Sequence, residues 1–156
     1  MNVKKFFLVM IGFFLAALTV KAQQNEDSLK LQGNWKLTEV LEEKYGLITN
    51  VLIGSRKLHT REEFQQVGDA ICLSLVFMQG NCHLQTFSVD DYFDYTVKNN
   101  RILIFRKGNA ESESHPDVHL YTMEANGQLI IKPSAASYME NGVPVKRVLT
   151  LTYKKN

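Results

Sequence analysis

The sequence predicts an all-β fold of eight or nine short strands, a sandwich or a barrel, with one short helix near residues 61–67. Short apolar segments recur at spacings of roughly ten residues, and residues that favour turns separate them. Asn126-Gly127 and Asn141-Gly142 are strong hairpin signals, because both central positions of a tight hairpin turn need positive φ. Many short strands joined by such turns are typical of a sandwich or a barrel.

The strands are predicted from apolar alternation between turn residues. In chain order they cover 35–41, 46–53, 71–77, 82–89, 92–97, 101–105, 118–123, 128–132 and 145–153. The last segment alternates most clearly, and one of its faces should point inward. That face holds Val145, Arg147, Leu149, Leu151 and Tyr153. In the first segment the same rule places Trp35 and Leu37 inward.

One helix is predicted between the second and third segments. Thr60 and Glu63 have the spacing of a capping box, and Phe64 and Val67 would pack on one face before Gly68 ends the helix. Two roles are open for it: a lid over the barrel mouth, or a surface connection. Residues 110–117, rich in Ser and Glu, are predicted to form a loop.

Residues 1–22 have the pattern of a cleaved signal peptide. Lys4 and Lys5 precede an apolar run over 6–20, and Val20-Lys21-Ala22 is a small-x-small cleavage site. The mature chain, 23–156, is then one domain, exported to the periplasm or secreted. It has no membrane span after cleavage, because the apolar run is removed and is shorter than the roughly 20 residues that a span prefers.

Charge excludes some partners. The chain has 18 Lys and Arg and 16 Asp and Glu, so loss of the three lysines in 1–22 leaves 15 against 16, a net charge of −1. Without a basic cluster in the sequence, neither nucleic acid nor an anionic membrane is an expected partner. Cys72 and Cys82 would lie roughly 17 Å apart along a hairpin, so two partly buried free thiols are expected rather than a disulfide.

The segment from Leu31 to Leu37, with Gly33-x-Trp35 at the head of the first strand, resembles the lipocalin-like (calycin) domains of small exported bacterial proteins. The resemblance covers residue 28 to the C-terminus and implies an all-β fold, a single antiparallel up-and-down β-barrel of about eight strands. It also implies that Trp35 packs across the closed end with a basic residue of the last strand over it, here Lys154 or Lys155. Gly33, Trp35 and Tyr153 are therefore the expected barrel-closing residues.

The expected function is reversible binding of a small apolar or anionic amphiphilic ligand in the barrel. If the last strand pairs antiparallel with the first, Arg147 lies roughly 20 Å from the closed end and offers a charged fork to a carboxylate or phosphate. Leu149 and Leu151 would contact the apolar part of the ligand, and Leu75 and Phe77 complete the expected ligand-binding set. The alternative is a cell-envelope interaction or structural module with a filled barrel, in which an apolar outer patch on 101–106 meets a partner protein.

No enzyme, metal or cofactor is expected. The sequence lacks a Gly-x-Ser-x-Gly elbow, an EF-hand loop and a glycine-rich phosphate loop. His115 and His119 lie too far apart along a strand to share one ion, so both are interpreted as exposed loop histidines.

Overall fold

A computed structural model describes residues 28–68 and 70–156 of this chain; the predicted signal peptide lies outside them. Residues 28–31 form a helical turn, and two short helices follow, α1 (Arg61–Gln65) and α2 (Ala110–Ser114). The strands are β1 (Gly33–Gly46), β2 (Leu52–Leu58), β3 (Ser74–Phe77), β4 (Asn81–Gln85), β5 (Asp90–Lys98), β6 (Arg101–Phe105), β7 (Asp117–Met123), β8 (Leu129–Lys132), β9 (Ala136–Glu140) and β10 (Val143–Lys155).

Eight of these strands form a closed antiparallel barrel, as the sequence predicts. The order is β1-β3-β4-β5-β6-β7-β8-β10, and β10 pairs back onto β1 to close it. In that closing ladder Trp35 lies opposite Lys155, and Lys44 lies opposite Arg147. The end at which β1 begins is called the closed end here, and the opposite end is called the mouth.

Strands β1 and β10 are long enough to leave the barrel at the mouth. Beyond the barrel, β2 pairs with the second half of β1, and β9 pairs with the first half of β10. The resulting four-stranded sheet, β2-β1-β10-β9, is called the extension. It continues the barrel wall, so the inner face of the barrel runs onto one face of the extension.

The extension corrects two strand predictions. Residues 47–49 form a turn, with β2 starting at Leu52, so 46–53 is not one strand. Asn50 at φ 53° shows that the chain reverses there. Strand β9 was not predicted, because its sequence, ASYME, has little apolar alternation and gains its ladder from β10.

The helix near 61–67 is confirmed. Thr60 is its N-cap, accepting a hydrogen bond from the Glu63 amide, while the Glu63 carboxylate accepts from the amide of Thr60. Phe64 and Val67 are buried in the barrel core, so one face of this segment packs over the mouth, while Arg61, Glu62 and Gln65 are exposed. The predicted loop at 110–117 contains the single helical turn α2, capped by the Asn109 side chain.

A single apolar core fills the barrel. Its most deeply buried large side chains come from both ends of the wall and from the segment between α1 and β3, which crosses the mouth and contains Ile71. They are Leu31, Trp35, Val40, Ile71, Phe77, Cys82, Ile102, Leu129 and Tyr153.

Candidate functional site

The closed end is sealed by Trp35. Its indole Nε1 donates a 2.6 Å hydrogen bond to the Leu31 carbonyl of the helical turn, and the Lys155 ammonium lies 5.3 Å from the ring centroid. Lys155 is therefore the basic residue over the tryptophan. Gly33 has φ +129°, a backbone conformation that L-residues with a side chain rarely adopt, so glycine is favoured at this position, and the flexible end of the Lys155 side chain lies where a Cβ would project.

Tyr153 lies two residues before Lys155 in β10, further from the closed end, and is opposite Leu37 of β1. It is fully buried, and its hydroxyl donates a 2.9 Å hydrogen bond to the Cys72 carbonyl, which anchors the segment crossing the mouth to the barrel wall. Burial raises the pKa of this phenol well above its ordinary value, so the hydroxyl stays protonated.

The cavity that lies among the core side chains of the barrel is small. It measures about 30 Å³, which is space for about one water molecule. The lining is apolar apart from a few groups, and it includes three of the predicted ligand-binding residues, Leu75, Phe77 and Leu151. These three side chains fill the interior together with the rest of the core.

His119 lies on the inner face of β7, against this cavity. The interpretation of His119 as an exposed loop histidine was wrong, because His119 lies within the strand and shares its inner face with the buried Tyr121. Its Nδ1 is buried without a hydrogen-bond partner among the described residues. Desolvation lowers the pKa of the imidazole, and the nearby Asp117 carboxylate opposes that effect only in part.

Arg147 is on the inner face near the mouth, as predicted, but it already has a partner. Its Nη1 lies 3.8 Å from a Glu42 oxygen, and the other Glu42 oxygen lies 2.5 Å from Arg56 Nε. Glu42 is only 3% exposed, so two guanidinium groups converge on one buried carboxylate. Such a carboxylate is stable in the interior only because both cations compensate its lost hydration.

The same two arginines also tie α1 to the extension. Arg56 Nη1 donates to the Gln66 side-chain oxygen at 3.0 Å, and Arg147 Nη1 donates to the Val67 carbonyl at 3.5 Å. Polar contacts at the edge of the mouth thus fix the residues just after α1. The side chains of Phe64 and Val67 fix the same segment by packing into the apolar core.

The structure does not place Arg147 in the cavity with Leu75, Phe77 and Leu151, because Arg147 is absent from the cavity lining. Leu149, which lies between Arg147 and Leu151 on β10, is buried in the core. Glu42 and Arg56 were missed from sequence. Glu42 was missed because a β-bulge between Leu37 and Glu39 shifts the inward phase of β1 from odd-numbered to even-numbered residues. Arg56 was missed because it lies in the part of β2 beyond the predicted strand 46–53.

A much larger recess lies outside the barrel, on the outer face of β5 and β6. It measures about 650 Å³, and the segment containing α2 forms one of its walls. Leu103 and Phe105 supply apolar floor, and Pro116 supplies an apolar wall. This recess is called the outer groove.

The walls of the outer groove are polar and internally bonded. Asp94 accepts a hydrogen bond from the Lys107 amide, and Glu113 accepts one from the Gly108 amide. Both carboxylates therefore order the turn that leads into α2. The arrangement is an apolar floor with a polar rim, which suits a protein segment with apolar side chains.

The cysteines are both free. Burial raises the pKa of the Cys72 thiol to about 11 and that of the Cys82 thiol to about 12. Both are therefore protonated and weakly nucleophilic near neutral pH. Within residues 28–68 and 70–156, no three His, Cys, Asp or Glu side chains are placed to hold one metal ion. In that part of the chain no helix is long and apolar enough to cross a membrane.

Comparison with known proteins gave no family model, no curated protein and no solved structure that matches this chain.

Proposed function

We propose that this protein is an exported, lipocalin-like interaction module of the cell envelope, with a filled barrel as its scaffold and the outer groove as its binding site. The observation that supports the proposal is the distribution of free volume. About 650 Å³ is open on the outer face of β5 and β6, against about 30 Å³ inside the barrel.

The interior argues against a carrier of amphiphilic ligands in this conformation. A drug-sized ligand occupies a cavity of roughly 300 Å³ or more, an order of magnitude above the space present. Arg147, the predicted anchor for an anionic head-group, is paired with Glu42 and covered by the residues that follow α1. Ligand binding in the barrel would require α1 to leave the mouth and the core to open.

The groove suits a short apolar segment of a partner protein. Leu103 and Phe105 lie on the outer face of β6, where apolar side chains gain from being covered. Lys107 and Glu113 at the rim offer one charge of each sign, so the segment would carry complementary polar groups beside its apolar ones.

Site-specific photocrosslinking in the native cell tests this proposal. A photoreactive amino acid at Thr96, in the groove, should give one defined protein adduct. The same group at Thr122, an exposed threonine on the outer face of β7, is the matched control and should give none. Leu103→Asp should abolish the Thr96 adduct. The crosslinked partner, once identified and purified, should bind this protein directly with micromolar or tighter affinity.

Two results would contradict the proposal. One is an equal set of adducts from Thr96 and Thr122, which would mean that the groove is not selective. The other is the absence of any adduct together with a stoichiometric amphiphile in a solvent extract of the protein, which would establish a ligand carrier.

A further inference from the structure

The far end of the extension exposes a concentration of large apolar side chains. Two hairpin turns lie side by side there, joined by a 3.0 Å hydrogen bond from the Leu47 amide to the Pro144 carbonyl. Ile48, at the apex, is 88% exposed. The exposed apolar residues of this end are called the apolar tip, and they are Leu47, Ile48, Val51, Leu52, Ile53, Met139 and Val143.

The apolar tip covers both faces of the extension. Leu52 lies opposite Tyr45, which places it on the outer face, and Met139 lies opposite Pro144 on that face too. Val143 is two residues from the inward Val145 and so lies on the inner face. A rigid protein partner would cover one face of a sheet, whereas insertion into an apolar medium buries both faces and the apex together.

The charges beside the apolar tip are mainly positive. Residues 44–61 and 141–156, which contain both hairpin turns, hold no Asp or Glu. Lys44 is bound to Glu140 at the end of β9, and Arg56 is bound to Glu42. Lys146, opposite Tyr45, makes no ion pair among the described residues, so its charge is available to an anionic surface.

The remaining side chains fit the border between water and lipid. Tyr45 is half-buried one residue before the end of β1, and Tyr138 lies beside Val145 on the neighbouring hairpin. Tyrosine is favoured at membrane–water interfaces, where its ring is buried and its hydroxyl stays hydrated. Apolar side chains at the apex, with tyrosines and a lysine behind them, form the order of layers that an interfacial segment has.

We propose that the apolar tip inserts shallowly into the surface of an anionic lipid bilayer and so fixes the protein to a membrane of the cell envelope. The net charge of −1 predicted for the mature chain does not favour such binding. The local charge does, because Glu140, the carboxylate beside the apex, is bound to Lys44, and Glu42 is bound to Arg56, while Lys146 has no ion pair among the described residues.

Vesicle flotation tests this inference with the protein purified in the form its native cell makes. Vesicles of phosphatidylglycerol and phosphatidylcholine in equal parts should carry the protein upward, and vesicles of phosphatidylcholine alone should carry less. Ile48→Asp should reduce the partition coefficient by on the order of tenfold or more, because an apolar side chain of this size no longer leaves water. Raised salt should weaken binding of the wild type.

Leu120→Asp is the matched control, since Leu120 is a half-exposed leucine on the barrel wall away from the apolar tip. It should float like the wild type. The proposal fails if the wild type does not float with phosphatidylglycerol, or if both variants lose binding equally. It also fails if Ile48→Asp instead halves the mass in solution without vesicles, which would assign the apolar tip to contact between two copies.

The urea midpoint of Ile48→Asp should equal that of the wild type, because the side chain is exposed. Failure of this inference and failure of the proposed function are distinguishable. The Thr96 crosslink depends on the outer groove and should persist in Ile48→Asp, whereas flotation should persist in Leu103→Asp.

Discussion

The two ends of the barrel are closed by different physical means. At the closed end, Trp35 and the helical turn at 28–31 form an apolar seal with one indole hydrogen bond and one ammonium over the ring. At the mouth, Phe64 of α1 and Val67 just after it cover the core, and Arg56 and Arg147 bind the two residues that follow the helix. The difference indicates that the closed end is stabilised by apolar packing. The mouth depends instead on a buried carboxylate that two arginines compensate, and a single substitution can remove that compensation.

The largest expected effect is at the closed end. Trp35→Ala should lower the free energy of unfolding by about 3–5 kcal/mol, because it removes a buried indole and leaves a cavity that the rigid barrel wall cannot fill. Urea denaturation measures the loss. Tyr92→Ala, which truncates an exposed aromatic on β5 and removes its ring contact with His83, is the control and should cost no more than about 1.5 kcal/mol.

The second-largest loss of stability is expected from a substitution at the mouth. Glu42→Gln removes the buried carboxylate and leaves Arg147 and Arg56 facing a neutral amide, at an expected cost of about 2 kcal/mol. Hydrogen exchange should quicken at the amides of α1 more than at those of β4. Glu43→Gln, one residue along on the outer face, should leave both measurements unchanged. Equal effects of the two variants would show that the buried Glu42 carboxylate does not specifically stabilise the mouth.

The helix cap provides a finer test of the mouth. Thr60→Ala breaks the capping box of α1 and should cost about 1 kcal/mol in a thermal or urea unfolding experiment. Thr60→Ser keeps the hydroxyl that accepts from the Glu63 amide and should restore most of that stability. A serine variant as unstable as the alanine variant would show that the methyl group matters and the cap does not.

The smallest expected effect is a pH dependence from His119, between the two ends. Its pKa is lowered in the folded barrel by desolvation, so the unfolded chain binds the proton more readily. The stability that the neutral ring supports is complete above a pH of about 6.5 and is lost as the pH falls from there through the lowered pKa. His119→Leu should flatten this part of a stability–pH curve, and an unchanged slope in the variant would exclude His119 as its source.

The fold could be predicted from sequence where the signals are local. Gly33-x-Trp35, the Asn-Gly turns and the Thr60 capping box each need only neighbouring residues, and all lie where they were expected. Strand β9 could not be predicted, because its order comes from pairing with β10 and not from its own alternation. The second half of β2 was missed for the same reason, since only its ladder with β1 defines it.

The candidate site was predictable only in part. The inward position of Arg147 followed from the alternation of β10, but its partner Glu42 did not, because the bulge after Leu37 reverses the phase of β1. The outer groove depends on how the turn after β6 folds back beside that strand, through hydrogen bonds such as that from the Arg106 amide to the Ser112 hydroxyl, and no local sequence pattern specified this geometry. Whether a barrel of this strand number is filled depends on the packing of side chains from every strand, and no single segment determines it.

Native mass spectrometry of the protein purified from its own cells tests the central claim, that the barrel is a filled scaffold, most directly. The predicted result is the mass of the polypeptide alone, both for the wild type and for Arg147→Ala. A stoichiometric small molecule bound to the wild type and absent from Arg147→Ala would contradict the claim, and would show that the barrel opens to hold an anionic ligand at that guanidinium.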